Sequence, residues 1–410
     1  MIRDKKFTKN FIWNTIGSVF NAFNSLFILI LITRINGLES AGIFSITFAT
    51  ASILYVLAIY SGRNCHITDI KGEITDKEYI VARIITCVTT ILIMFIYITL
   101  TRYDSLKVYI LIALCIWKIL EAFSDVLYAI LQKNEELYKA GISLFIKSVV
   151  GIGCFGICNF ITKNLKLSFS ALYIITLIII IVYDIPNTLK LLDKSEKVNF
   201  KNILKIYKKE FWIFGNTFLI MYVLNEPKYV IEKYLTNDIQ AIFNIILIPA
   251  SIVPLFSQFI MAPVINSIKN LYKEKNFDKI KKADNKIILI IFSFGIFAAS
   301  IGYLIGIPVL EWIYSQKLDA YKIHLVVLLL SYTLYAMAYV KTIILTTFRK
   351  LKEQFIVHIV STIIVIILSI ILINKIGTIG VTITYFLLMS CYYIMLWFIT
   401  KYNYKKEREF

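Results

Sequence analysis

The chain has 410 residues, of which 59% are hydrophobic and 17% charged, and its formal net charge is +18. Soluble domains contain about 45–50% apolar residues, so this chain has too little polar surface to cover a core of this composition in water. The composition therefore excludes a soluble globular protein and predicts one that is solvated by lipid.

Long apolar segments follow one another along the chain, and each is close to the ~20 residues that a helix needs to cross the hydrocarbon core. Helices are expected because open strands would leave backbone polar groups unpaired in lipid. The sequence predicts an all-α polytopic membrane protein of about twelve spans, at 11–33, 41–61, 80–101, 107–130, 139–161, 168–188, 211–234, 239–262, 286–308, 323–346, 354–374 and 378–400.

Basic residues are distributed unequally between the two sets of loops. Of the 44 Lys and Arg residues, 31 lie on the side of the N-terminus, ten on the opposite side and three inside spans. Basic loops mark the cytoplasmic face, so both termini are predicted to be cytoplasmic. The same asymmetry accounts for the net charge without nucleic acid, and the sequence has no aromatic-rich basic module.

A long basic connection at about 190–210 divides the predicted spans into two sets of six. The predicted lobes are residues 1–200 and 201–410. Parallel repeats of this kind are common in transporters, where the substrate site lies between the repeats. The loops on the opposite face are short, which argues against an enzyme that acts on bulky sugars outside the cell.

Charged side chains inside spans cost about 2.5–3.5 kcal/mol each on insertion scales, so they usually face a cavity or a partner. In span four, Lys118, Glu121, Asp125 and Gln132 share one helix face. Two interpretations remain open. Lys118 could form an internal salt bridge with Glu121 or Asp125, or a hydrated cavity could leave Lys118 and Lys147 of span five to hold an anion.

Other predicted spans also carry polar groups, which could either join helices by hydrogen bonds or line a cavity. They include Asn14, Asn21, Asn225, Glu226, Lys228 and Lys341. Pro227, Pro249, Pro254 and Pro263 fall in spans seven and eight, where each proline removes a backbone donor and predicts a kinked or interrupted helix.

The sequence has no phosphate-binding glycine loop, no catalytic Ser/His/Asp set and no zinc-ligand set, so no catalytic residue, cofactor or metal is predicted. Transport without ATP would depend on an ion gradient, on the substrate gradient or on a partner. The candidates for binding a coupling ion, Na⁺ or H⁺, are Glu121, Asp125 and Glu226.

Four stretches resemble motifs of the bacterial polysaccharide repeat-unit flippases of the O-antigen and capsule type. That family belongs to the multidrug/oligosaccharidyl-lipid/polysaccharide exporter superfamily. The stretches are Arg34–Gly42, with Asn36 where the family usually has Leu, then Tyr60–Asp69, Glu121–Ser143, and Asn225–Glu232, with Lys228 where Arg is frequent.

The resemblance implies two six-helix lobes around a central cavity and a substrate made of an oligosaccharide linked by pyrophosphate to a polyprenyl lipid. It also implies a location in the bacterial cytoplasmic membrane and work alongside a polysaccharide polymerase and glycosyltransferases. The cations expected to neutralise the head group are Arg34, Arg63, Lys118, Lys147 and Lys228, with Lys341 a lesser candidate.

Two alternatives to the flippase remain open. A cation-coupled multidrug antiporter of the same superfamily would bind cations with Glu121, Asp125 and Glu226. A membrane polysaccharide polymerase or ligase would need a sizeable outer loop, which the sequence does not show.

Overall fold

The computed structural model describes residues 2–60, 62–68, 74–193, 195 and 197–407. These residues form helices and short connections without a β-strand, so the predicted all-α class is confirmed. Parts of the predicted basic loops, such as Lys71, Lys194 and Arg408, lie outside the described residues, as do Ser61 and Asp69 of the second family-like stretch.

The described α-helices are α1 (Ile2–Ala22), α2 (Asn24–Asn36), α3 (Leu38–Ile59), α4 (Arg63–Thr68), α5 (Asp76–Thr101), α6 (Ser105–Lys133), α7 (Leu137–Thr162), α8 (Leu165–Ile179), α9 (Ile185–Leu189), α10 (Phe200–Tyr234), α11 (Asn237–Lys273), α12 (Phe277–Ile301), α13 (Ile307–Tyr314), α14 (Lys322–Thr347) and α15 (Leu351–Lys406). Two π-helical segments, Ile180–Asp184 and Gly302–Gly306, join α8 to α9 and α12 to α13. A 3₁₀ turn, Asp319–Tyr321, precedes α14.

Nine segments of the described chain are long and apolar enough to cross a membrane. The longest, α15, contains a break at Ile376 and Gly377, where Gly377 has a φ of +57° that favours glycine. Helices α6 and α10 are also long but are not among the nine, and the middle of α6 carries Lys118, Glu121 and Asp125. These helices make the chain a multi-pass membrane protein, while the count of twelve spans and the side of the termini stay predictions.

The prolines do not interrupt their helices, so the predicted interruption is wrong, while the alternative of a kink stays a prediction. Helix α10 continues through Pro227, and α11 continues through Pro249, Pro254 and Pro263. Each proline removes only one donor from the ladder. Hydrocarbon strongly favours keeping the remaining backbone groups paired, so the helical path persists on both sides of the ring.

The chain separates into two compact units, Met1–Phe218 and Leu219–Phe410, which are called here the N-terminal and C-terminal units. The division falls inside α10, because the first part of this helix packs with the preceding helices. Ile203 and Ile206 are buried together with Tyr79 and Val126. The predicted lobes of 1–200 and 201–410 stay a prediction.

In the N-terminal unit, α1 and α7 approach until their backbones touch. A Cβ atom added to Gly17 would lie 2.2 Å from the carbonyl oxygen of Gly141, and one added to Gly141 would lie 2.3 Å from the carbonyl oxygen of Trp13. Small residues allow membrane helices to pack at this distance. The contact places the polar face of α1 beside α7.

The C-terminal unit also uses glycine at close contacts. Gly302 and Gly306, at the two ends of the second π-helical segment, face Leu329 and Leu325 of α14 at distances that leave no room for a side chain. Gly380 packs in the same way against the backbone of Leu372 across the break in α15. The segment on each side of that break therefore behaves as a separate packed helix.

Candidate functional site

A polar cavity of about 220 Å³ lies among the helices of the N-terminal unit. It has room for several water molecules. Its polar lining is supplied by α1, α2, α3, α4, α6 and α7 and includes Asn21, Arg63, Glu121, Asp125, Tyr128 and Lys147. The structure therefore brings together five of the residues predicted for the site, which come from distant parts of the sequence. This space is called the N-terminal cavity below.

Lys147 lies at one wall of the N-terminal cavity and is paired with a carboxylate. Its Nζ donates to Asp184, to the Ser124 Oγ at 2.6 Å and to the Tyr128 hydroxyl at 3.0 Å. An ammonium has three donors, so this set uses all of them. Lys147 is only 7% exposed and Asp184 is fully buried. The expectation that Lys147 is free to hold an anion is wrong.

The partner of Lys147 reaches it through an irregular backbone. Asp184 is the last residue of the π-helical segment Ile180–Asp184, which interrupts the helix that begins at Leu165. π-helical turns inside α-helices are frequent at functional sites. The winding of this segment determines the direction in which the Asp184 side chain projects from the helix.

Lys118 is also paired, as one of the two interpretations of span four predicted. Its Nζ lies 2.7 Å from the Glu121 Oε2, and it sits 4.5 Å from the centre of the Trp117 ring. Both side chains of the ion pair keep about a sixth of their surface exposed, at 16% and 14%. The internal salt bridge and the cavity therefore coexist, but Lys118 is not a free cation, and it reaches the cavity only through Glu121, which lines it.

Asp125 contacts Arg83, a residue that the sequence prediction did not include in the site. The Arg83 Nη2 lies 3.4 Å from the Asp125 Oδ2, and its Nη1 donates to the carbonyl oxygen of Ala58 at 3.0 Å. Arg83 lies two turns inside α5, close to the predicted boundary of that span, and it was counted with the loop charges. Hydropathy alone cannot show that such a side chain turns inward.

Arg63 differs from the other cations at the N-terminal cavity. Its side chain lines this cavity and also a smaller neighbouring cavity of about 20 Å³. The Arg63 Nη1 is buried and has no hydrogen-bond partner within the described part of the chain. A buried donor without a partner costs about 1–3 kcal/mol, so this nitrogen is suited to an anionic guest.

Three other predicted residues of the N-terminal unit lie away from the cavity lining. Asn14 is at the backbone contact between α1 and α7, where its buried Oδ1 has no partner among the described residues. Gln132 is at the end of α6, and Arg34 is exposed in the last turn of α2. Neither helical spacing, which selected Asn14 and Gln132, nor the family-like stretch that includes Arg34 predicted which residues line the cavity.

Four predicted residues belong to the C-terminal unit. Asn225 donates to the Met221 carbonyl at 2.9 Å, one turn earlier in α10. Glu226 is 3% exposed, and its Oε1 accepts a hydrogen bond from Ser369 at 2.8 Å, while its Oε2 has no partner in the described residues. Lys228 lies 3.4 Å from the Asn244 Oδ1.

Lys341 is held in an ion pair that the sequence prediction missed. Its Nζ contacts both oxygens of Asp284, at 2.8 and 2.7 Å, and the Tyr404 hydroxyl donates to the Asp284 Oδ2 at 3.3 Å. Asp284 was placed in a loop, but it is buried in the second turn of α12. Lys341 is therefore neutralised within its own unit.

The described residues contain no group of three or more His, Cys, Asp or Glu side chains that could hold a metal ion. The charged atoms at the N-terminal cavity are ammonium, guanidinium and carboxylate groups. These groups can bind a charged guest and exchange ion-pair partners with it.

Comparison with known proteins gives one relative in sequence and a consistent set in structure, although no family model matches. The chain is 22% identical over 402 residues to the "Capsular polysaccharide biosynthesis protein CapF" of Staphylococcus aureus, which covers 94% of this chain and 98% of that protein.

Solved structures of similar fold are transporters. An inward-facing multidrug resistance MATE family transporter of the MOP superfamily has a TM-score of 0.67 at 16% identity, covering 97% of this chain and 99% of that one. An outward-facing transporter of that family has a TM-score of 0.64 at 15% sequence identity, and the match covers 99% of this chain and 96% of that one. A MOP superfamily transporter from Pyrococcus furiosus has a TM-score of 0.62 at 14% sequence identity, and the match covers 98% of this chain and 96% of that one. The chain therefore has the same fold as these transporters, which agrees with the fold that the family-like stretches implied.

Proposed function

We propose that this protein is a flippase for lipid-linked oligosaccharides. It moves polyprenyl-pyrophosphate-linked repeat units across the cytoplasmic membrane by alternating access, for the synthesis of a surface polysaccharide. The transporter fold, the similarity to a capsular polysaccharide biosynthesis protein and the charged N-terminal cavity support this function. Glycosyltransferases would assemble the repeat unit before this step, and a polymerase would join the units after it.

The observation that carries the proposal is the unused donor of Arg63 at a water-accessible cavity. Pyrophosphate presents several anionic oxygens, and a guanidinium binds such oxygens in pairs. The polyprenyl chain can remain in the bilayer while the head group enters the polar space. In this proposal Arg63 makes the first contact with the pyrophosphate.

Lys118 and Lys147 have different roles in this proposal. Lys118 keeps 16% of its side chain exposed and can exchange Glu121 for the head group, with Glu121 then relying on water in the cavity. Lys147 is buried in a neutral pair with Asp184, so it shapes the cavity wall. Arg34, Lys228 and Lys341 contribute at other stages or only to stability.

A coupling ion, Na⁺ or H⁺, would bind to a carboxylate that has no cation of its own. Glu121 and Asp125 each have a basic partner, whereas Glu226 has a hydrogen bond from Ser369 and an unpartnered oxygen in the described structure. Glu226 is therefore the first candidate of the three. A buried charge of this kind is typical of ion pathways in membrane proteins.

The second candidate function is a cation-coupled multidrug antiporter, which the MATE-like fold and the carboxylates Glu121, Asp125 and Glu226 favour. It would take up organic cations, and Arg63 would oppose their entry. A membrane polysaccharide polymerase is the third, and it is the least favoured because the solved structures of similar fold are transporters.

Arg63→Ala separates these functions. The variant is expected to reduce surface polysaccharide and the flipping of a fluorescent lipid-linked oligosaccharide in proteoliposomes by about ten-fold or more, while Arg63→Lys keeps a cation and loses less. Arg102→Ala, which removes an exposed arginine outside the cavity, is the matched control.

Normal polysaccharide from Arg63→Ala at the wild-type membrane level would contradict the flippase proposal. Faster efflux of a cationic drug by the same variant, with polysaccharide unchanged, would favour the antiporter.

A further inference from the structure

A second pocket, of about 360 Å³, opens in the C-terminal unit where α12 begins and α15 ends. Its charged lining consists of four lysines and one carboxylate, namely Lys281, Lys341, Lys401, Lys405 and Asp284. It is called the lysine pocket below. The proposed transport function makes no use of it.

The single carboxylate of the lysine pocket is already fully engaged. Asp284 contacts the Lys341 Nζ through both oxygens and accepts a hydrogen bond from the Tyr404 hydroxyl. These three residues form a buried, neutral floor. Asp284 therefore cannot neutralise the lysines nearer the opening.

The lysines at the opening carry an unbalanced positive charge. Lys281, Lys401 and Lys405 are exposed, and in the described part of the chain none of them has a carboxylate within ion-pair distance. Lys401 and Lys405 lie one turn apart on α15, so both ammonium groups reach the same side of the helix. Such a pocket binds an anion.

The surroundings of the opening indicate which anion. Trp397 lines the pocket and lies 4.8 Å from the Lys401 Nζ, while Phe398 and Tyr402 are 59% and 63% exposed on the same part of α15. Exposed aromatic rings beside basic residues mark the boundary between hydrocarbon and water. An anion bound here has an apolar surface next to it, which suits the acyl chains of a lipid.

We propose that the lysine pocket binds the phosphate of an anionic phospholipid from the surrounding bilayer. The headgroup lies between Lys281 and the two lysines of α15, with its acyl chains against the exposed aromatic residues. Basic pockets between membrane helices bind anionic lipid headgroups in this way. This lipid is a resident of the C-terminal unit, and its binding does not depend on transport.

The test uses the purified full-length chain in detergent, titrated with phosphatidylglycerol or phosphatidylcholine and followed by native mass spectrometry. The Lys401→Gln/Lys405→Gln variant is expected to bind phosphatidylglycerol roughly 25-fold more weakly, since each lysine near a membrane surface contributes a factor of roughly five. The matched control is Lys269→Gln/Lys273→Gln, which removes two exposed lysines at the same spacing on α11, outside the pocket.

Equal phosphatidylglycerol binding by the wild type and the pocket variant would overturn the proposal, and so would an equal loss in the control. Displacement of the lipid by millimolar inorganic phosphate would overturn it in favour of a soluble anion. Lys281→Gln, on a different helix, gives an independent measurement if the double variant unfolds, and it is expected to weaken binding roughly five-fold.

Discussion

Both units bury an ion pair, Lys147–Asp184 in the first and Lys341–Asp284 in the second, but their other charged groups differ. In the N-terminal unit, Lys118 and Arg83 also contact carboxylates, and one member of each of the three pairs lines the N-terminal cavity. In the C-terminal unit, Glu226 has only the Ser369 hydroxyl as a partner in the described structure, and Lys228 contacts an amide.

In the proposed function, the difference corresponds to two tasks. Ion pairs that keep some exposure, such as Lys118–Glu121, can exchange partners with a charged guest at a lower cost than a fully buried pair, because water screens the charges. An isolated buried carboxylate is instead suited to the reversible binding of a coupling ion. Within the proposed function, head-group contact is therefore expected in the N-terminal unit and ion coupling in the C-terminal unit.

The strongest test of this comparison breaks the buried ion pair in each unit. Lys147→Ala is expected to lower the free energy of unfolding by about 3–5 kcal/mol, because it leaves the Asp184 carboxylate buried without a cation. Lys341→Ala is expected to cost less, since Asp284 keeps the Tyr404 hydroxyl and lies beside other lysines. Denaturant unfolding in detergent measures both.

The matched control for Lys147 is the double variant Lys147→Met/Asp184→Leu, which replaces the pair with apolar groups of similar size. It is expected to recover most of the lost stability. A double variant as unstable as Lys147→Ala would show that packing, and not the unpaired charge, is responsible.

Next in size is the close contact of α1 with α7, which supports one side of the N-terminal cavity. Gly141→Ala is expected to cost about 1–3 kcal/mol, because its new methyl group would meet the backbone of Trp13. Gly153→Ala on the same helix has no atom within 4 Å of its new Cβ, and it is expected to be neutral or to stabilise the helix by up to about 1 kcal/mol. Thermal unfolding of both variants distinguishes contact from helix propensity.

The proposed division of tasks predicts a smaller, functional difference between two carboxylates. Glu226→Gln is expected to lower the ion-gradient-dependent flipping rate about ten-fold, which corresponds to about 1.4 kcal/mol in the barrier. Glu121→Gln is expected to change the affinity for substrate and to keep the ion dependence. Flipping assays with and without a Na⁺ or H⁺ gradient measure both, and equal loss of ion dependence would remove the distinction between the units.

The smallest expected effect is the pH response of His66, in the connection between α3 and α5. Burial is the main cause that lowers the pKa of His66 from its ordinary value of 6.5, against a hydrogen bond with Asp76. The unfolded chain therefore takes up this proton first, and stability is lost as the pH falls below 6.5 toward the lower folded-state pKa. Unfolding between pH 5 and 8 should show this slope in the wild type and a reduced slope in His66→Gln.

Much of the fold could be predicted because it depends on composition. Apolar length and the position of charges located the long helices, and the spacing in α6 made a salt bridge of Lys118 with Glu121 or Asp125 one of two interpretations. Helical spacing also brought Glu121 and Asp125 to the face that lines the cavity. These features depend on one helix at a time, which is why a single sequence was sufficient.

Contacts between helices were harder to predict. The partner of Lys341 is Asp284, 57 positions earlier in the chain, and nothing in the local pattern joins them. The Arg63 Nη1 was selected as a binding group because it has no hydrogen-bond partner among the described residues, which a sequence alone does not show. The prolines of α11 misled the prediction, since the packed helix tolerates the missing donors.

The π-helical segment Ile180–Asp184 links a backbone irregularity to an ion pair. Wide turns of this kind contain one residue more than a regular helix needs, and each residue turns the helix by about 100°. Deleting Ile181 would restore regular winding and at the same time rotate Asp184 away from Lys147. The extra residue and the salt bridge are therefore coupled, so that the winding of one turn decides whether the buried lysine keeps its counter-charge.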